Sequence, residues 1–169
     1  MSKQYFLRFL IRHQVEDLVF EVPEEAFDRL GKVLSDAPNA TDQVRFFWFD
    51  TVNGKSVIIN LADVQAVRFL WEPFALLPEA DDDDDDDDDE YVIQISLRGA
   101  KVLKEFTEDP DQLYDLYKSL EYGPDVVAYP SFDDVDGESF HLNSREVVWI
   151  IAPTSLIKEG LKLLQEKMV

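Results

Sequence analysis

The chain carries one short motif twice, and no other feature limits its possible folds as much. Residues 50–60 read "DTVNGKSVIIN" and residues 133–143 read "DDVDGESFHLN". The match extends outward: Phe49 to Val67 aligns with Phe132 to Ile150 without a gap, with seven identities in nineteen positions. A second pair lies upstream in the same order. The thirty residues from Tyr5 align with the thirty from Tyr91, sharing Tyr5/Tyr91, Arg12/Arg98, Phe20/Phe106, Leu30/Leu116, Lys32/Lys118 and Leu34/Leu120. The offsets are 86 and 83 residues. Two matched pairs in one order predict an internal duplication of about 80 residues.

Each copy has the same local grammar. Tyr5, Leu7, Phe9 and Ile11 alternate with polar neighbours, as do Tyr91, Ile93, Ile95 and Leu97. A period of two is a strand. A second strand ends near Phe20 or Phe106, and a helix follows. In the first copy Pro23, Glu24 and Glu25 suit a first helical turn, and Ala26, Phe27, Leu30, Val33 and Leu34 form the apolar stripe. In the second, Asp109 is placed to cap, Pro110 takes the first position, and Leu113, Leu116, Tyr117 and Leu120 face inward. Strands are then expected at "RFFWFD" and "VVAYPSF", at "SVIIN" and "SFHLN", and at "VQAVRFL" and "VVWII". A last helix starts near Thr154 or Ser155 with a stripe of Ile157, Leu161, Leu164 and Met168. The expected fold is α+β: two tandem, related β-rich units, small-barrel-like, in one body. Residues 1–73 form the first unit, 74–90 an acidic linker and 91–169 the second unit with its C-terminal helix.

Asn53-Gly54 and Asp136-Gly137 each lie between apolar segments, which predicts type I′ hairpin turns. A calcium loop fails on spacing. It would need an Asp at 132 and a Glu at 143, where Phe132 and Asn143 stand. Asn60 and Asn143 are expected to bond the backbone where one strand bends into the next.

The run from "NGKSVIINLADVQAVRF" to "YVIQISLRGAKVLKEFTEDPDQLYDLYKSL" resembles the FlbD/SwrD-type small flagellar proteins. Asn53, Gly54, Ile59, Asn60, Val64, Val67, Val92, Ile95 and Gly99 occupy that pattern's places, over residues 45–122. The order of a helix and five short strands also resembles an Sm-like barrel. The resemblance implies a small β fold. This chain departs from it in its linker between Trp71 and Tyr91, its two copies and its acidity. The basic and aromatic rim that Sm-like RNA binding would need is missing from the sequence.

Charge narrows the function. The formal net charge is −20, and Asp81, Asp82, Asp83, Asp84, Asp85, Asp86, Asp87, Asp88, Asp89 and Glu90 account for half of it. A Lys/Arg phosphate clamp is not expected, so no nucleic-acid ligand is expected and a basic protein partner is favoured. The tract reads as a solvated loop, as an acidic bait for that partner or as a weak divalent-cation sponge. Just before it, Phe74, Leu76 and Leu77 sit between Pro73 and Pro78, as a docking segment or a flap over the core. These residues, from Phe74 to Glu90, are the candidate partner-binding site.

No catalytic, metal or cofactor site is expected. There is no Cys, phosphate loop or nucleophile elbow, and His13 and His141 fall at unmatched positions of the repeat. The sequence has no run of about 18 apolar residues, so no membrane span is expected. Arg8 and Arg12 interrupt the apolar N-terminus, which reads as cytoplasmic rather than as a secretion signal. The favoured function is a non-enzymatic binding or assembly protein, with a homo-oligomer left open. The alternatives are an acidic mimic of nucleic acid and a carboxylate-based hydrolase.

Overall fold

The computed structural model describes residues 4–35, 45–71 and 92–167. Ten strands and three helices appear among them, in an α+β arrangement. The first half runs β1 (Tyr5–Ile11), β2 (Leu18–Val22), α1 (Glu24–Ser35), β3 (Phe46–Asp50), β4 (Lys55–Asn60) and β5 (Val64–Leu70). The second runs β6 (Val92–Leu97), β7 (Leu103–Phe106), α2 (Pro110–Tyr122), β8 (Ser131–Asp133), β9 (Ser139–His141) and β10 (Val147–Pro153). Helix α3 (Thr154–Lys167) follows β10 directly.

The strands pair antiparallel in three sheets, ordered β2-β1-β5, β3-β4-β10-β6-β7 and β8-β9. Among the described residues none closes into a barrel, because β4 gives its second edge to β10 rather than to a strand of its own half. Ile58 lies opposite Ile150 in that pair.

Within each half the pairings carry aligned residues. Phe9 faces Val67, and Ile95 faces Ile150. A register shift then brings Ile11 to Val64 and Leu97 to Val147. Phe49 faces Val57, and Phe132 faces Phe140. Two cores follow from these pairings. Leu7, Phe9, Leu30, Phe49 and Ile59 belong to one, while the aligned Ile93, Ile95, Leu116, Phe132 and Leu142 belong to the other.

The seam between the cores is the β3–β4 ribbon. Phe47, Phe49, Val57 and Ile59 point into the first core, whereas Phe46, Trp48 and Ile58 point into the second. Trp48 there meets Tyr114 and Tyr117 of α2 edge-on. The fully buried Tyr117 donates its hydroxyl to the Ser56 carbonyl at 2.8 Å and lies 3.3 Å from the Ile150 carbonyl, tying α2 to the β4–β10 seam. Burial, and secondarily the Asp50 charge, push the Tyr117 hydroxyl well above the ordinary tyrosine range, so it stays a donor. Helix α3 packs on α2 so closely that a Cβ at Gly160 would overlap the Pro110 carbonyl.

Several expectations need correction. The two Gly turns are not type I′, because only Gly54 and Gly137 have positive φ (88° and 81°), while Asn53 and Asp136 do not. The Thr51 N–H reaches the Lys55 carbonyl and the Gly54 N–H reaches Thr51, which leaves a three-residue loop ending in a left-handed Gly. Asp134, Glu138 and Gly137 repeat these bonds. Val126 to Pro130, read as strand, is turn, anchored by the buried Ser144 hydroxyl on the Val127 and Ala128 carbonyls. Leu34 and Leu161, placed on the helix stripes, are exposed; of the expected α3 stripe Ile157 is buried, and Leu156 and Gly160 are buried beside it. Asp109 stands at the cap of α2 without a side-chain cap bond. Its N–H instead donates to the Thr107 hydroxyl at 3.1 Å.

Candidate functional site

The sequence-predicted binding residues Phe74, Leu76, Leu77, Asp81 to Asp89 and Glu90 lie outside the described residues. The structure assembles a different acidic and apolar surface, on the outer end of the second half. It grows out of one difference in strand register.

In the β1–β2 hairpin Leu7 faces Phe20. In the β6–β7 hairpin Ile93, aligned with Leu7, faces Glu105, and Phe106 faces Val92. The second hairpin is therefore one residue tighter. A slip of one residue turns every side chain of a strand to the opposite face. Phe20 packs into the first core against Phe9 and Phe49. Phe106, its aligned counterpart, points outward and is 46% exposed. Glu105 takes the inward place that Phe20 holds in the first half. Partial burial raises the Glu105 carboxyl above the ordinary glutamate range, and the charge of Asp134 adds to the rise.

Phe106 borders a groove of about 600 Å³, lined also by Thr107, Glu108, Pro110, Val135 and Glu159. Val135, at the tip of the β8–β9 turn, is 47% exposed. The frame is rigid. The buried Thr107 hydroxyl donates to the Asp133 carbonyl at 3.1 Å. The Gln112 side chain accepts the Asp133 N–H at 2.6 Å, which fixes the turn to α2. The lining carries Glu108 and Glu159 and, among the described residues, no cation. Asp134, Asp136 and Glu138 crowd the same turn.

Those carboxylates are partly spoken for. Asp134 Oδ1 accepts the N–H groups of Asp136 and Glu138, each at 2.9 Å, and Asp133 accepts the Ser139 hydroxyl at 2.9 Å. Their aligned partners do similar work: Asp50 accepts the Ser56 hydroxyl at 2.6 Å, and the Thr51 hydroxyl accepts the Lys55 N–H at 3.0 Å. The shared motif is thus turn architecture. Asn60 and Asn143 accept the N–H groups of Ala62 and Arg145, as their place between strands suggested. Among the described residues no three His, Asp or Glu side chains cluster closely enough to hold a metal ion.

Sequence reasoning missed Phe106, Glu105 and Val135. Phe20 and Phe106 are identical residues at aligned positions, and only the pairing register separates the two. The "LKEF" alternation of Leu103 to Phe106 was the available signal: it puts Phe106 on the face opposite Leu103. Of the tryptophans at strand ends and interiors, Trp71 is exposed and Trp149 is buried. Among the described residues no helix is long and apolar enough to cross a membrane. Comparison with family models, with curated proteins and with solved structures finds no match to this chain.

Proposed function

We propose that this chain is a non-enzymatic cytosolic binding or assembly protein, built from two copies of one unit, and that its second copy takes a basic protein segment. The carrying observation is the groove at Phe106 and Val135: two exposed apolar side chains beside the carboxylates of Glu108 and Glu159, with no cation in the lining among the described residues. A Lys- or Arg-bearing segment with one apolar anchor complements that surface in shape and in charge. The chain's charge of −20 favours capture of such a partner at long range. Duplication is supported by the aligned registers and by the paired turn bonds at Asp50/Ser56 and Asp133/Ser139. In this reading one copy keeps Phe20 for its core, while the other turns Phe106 to a partner. The FlbD/SwrD-like pattern supports the small β unit and carries no part of the binding assignment.

The test is calorimetric titration of the full chain with a short Lys-rich peptide carrying one Leu, at two salt concentrations. Saturable binding that weakens with salt is expected, with Phe106→Ser lowering affinity by about tenfold, as for loss of a buried apolar anchor. Equal affinity of Phe106→Ser and wild type would overturn the assignment of the groove.

A further inference from the structure

The two tight turns that begin the halves' hairpins, Arg12-His13-Gln14 and Arg98-Gly99-Ala100, come together at one cavity of about 600 Å³. They are aligned residues at an offset of 86. They are also alike in shape. The Gln14 N–H donates to Ile11 at 3.1 Å, and the Ala100 N–H donates to Leu97 at 3.2 Å. The Arg12 N–H donates to the Asp63 carbonyl, and the Arg98 N–H donates to Glu146, aligned with Asp63. Gly99 sits at φ 72°, a conformation that suits glycine. His13 holds the same place at φ 64° and is the one non-glycine residue with positive φ among those described. That conformation costs a side-chain-bearing residue about 1 kcal/mol or more, and strain of this kind clusters at functional sites.

The cavity's chemistry runs against the rest of the molecule. On a chain with 36 acidic and 16 basic residues, its lining holds two arginines and a histidine against a single carboxylate residue. That carboxylate, Asp63, is buried and holds Arg98 by Nε alone, at 2.9 and 3.2 Å to its two oxygens. The Nη atoms of Arg98 make no hydrogen bond to another described residue, and Arg12 makes no ion pair among the described residues. Gln14 is steadied by donating to the Ser96 hydroxyl at 3.2 Å. Leu97 and Val148 supply an apolar wall.

We infer that this junction cavity binds a small phosphate-bearing molecule, held between the Arg12 and Arg98 guanidinium groups with His13 as a third donor. Planar guanidinium forks match phosphate oxygens in pairs. Asp63 holds one fork in place, so that less rotamer freedom is lost on binding. This site is separate from the groove at Phe106 and does not depend on its assignment.

The experiment titrates the full chain with inorganic pyrophosphate, and separately with phenyl phosphate, at constant ionic strength against chloride, following backbone amides by NMR. Saturable shifts are expected at Gln14, Gly99 and Ala100. Arg12→Gln, a change at an exposed residue, should weaken binding by about tenfold, as for one lost charged hydrogen bond. His13→Gly should weaken binding and raise the melting temperature, because it removes the backbone strain; a purely structural His13 would give the second effect without the first. Tighter binding of phenyl phosphate would identify an organic phosphate resting on Leu97 and Val148, and equal binding the inorganic anion. Phe106→Ser should leave these titrations unchanged. Shifts spread evenly over other cations such as Arg145 and Lys162, or unaltered affinity in both variants, would overturn the inference.

Discussion

The ribbons β3–β4 and β8–β9 share their pairing register, their Gly turn and their Asp-to-Ser hydrogen bond, yet they meet different surroundings. The first is buried on both faces. The second is three residues per strand and covers only one. Three aligned positions account for this. Phe46, Trp48 and Ile58 meet the second core, where the aligned Tyr129, Ser131 and His141 are all exposed. The turn motif therefore fixes a local shape, and the outward residues decide whether that shape becomes a seam or a surface. The same contrast separates Phe20 from Phe106, where a one-residue difference in register converts a core side chain into a surface one.

The largest expected effect tests the seam. Ile58→Ala should destabilise the fold by about 2–5 kcal/mol, the usual cost of emptying a fully buried Ile site. His141→Ala, at the aligned position, should fall within about 0.5 kcal/mol of wild type, as exposed changes do. Urea denaturation of both variants measures the gap. Similar losses would break the contrast, because they would mean that β9 is covered as β4 is.

The seam also shows what the sequence could and could not reveal. The face of α2 was legible: Leu113, Leu116, Tyr117 and Leu120 recur at helical spacing, and all four are buried. The positions of the two Gly turns were legible too, although their type was not. Asn-Gly and Asp-Gly fit both a two-residue loop and a three-residue loop ending at Gly, and only the count of paired residues separates them. The pairing of β4 with β10 left no local trace, since a continuous apolar run such as "SVIIN" suits any strand buried on both faces. The binding surface was hidden for a related reason. Phe20 and Phe106 are identical in type and aligned in position, and the facing direction of a strand residue depends on a partner strand that periodicity does not identify.

A middling effect tests the shared turn. Gly54→Ala and Gly137→Ala should each cost about 1–2 kcal/mol, because both place a Cβ on a left-handed backbone. Neither Cβ would meet another atom within 4 Å, so the cost is one of backbone conformation alone and should be nearly equal in the two turns. Paired thermal melts give the comparison. A loss at Gly54 several times that at Gly137 would show that the turn at the seam does additional work, for instance through the Thr154 N–H that donates to the Gly54 carbonyl at 2.8 Å.

The smallest effect concerns Glu105, which stands where the first half has Phe20. Its carboxyl is raised in the folded chain by partial burial and by Asp134. A raised carboxyl means that the folded state holds the proton more tightly than the unfolded chain does. Stability contributed by this group therefore falls as pH rises from the ordinary glutamate range through the raised value, and the penalty is complete above it. Glu105→Gln removes the penalty. The variant should melt slightly higher than wild type at neutral pH, with the difference shrinking as the pH drops below the ordinary glutamate range. Melting curves across that window decide the matter. An advantage that persisted unchanged into acid would assign the gain to packing rather than to charge. A loss at neutral pH would mean that the Glu105 carboxylate is stabilised by a cation, and that the second half kept an acid at Phe20's place for its own fold rather than for a basic partner.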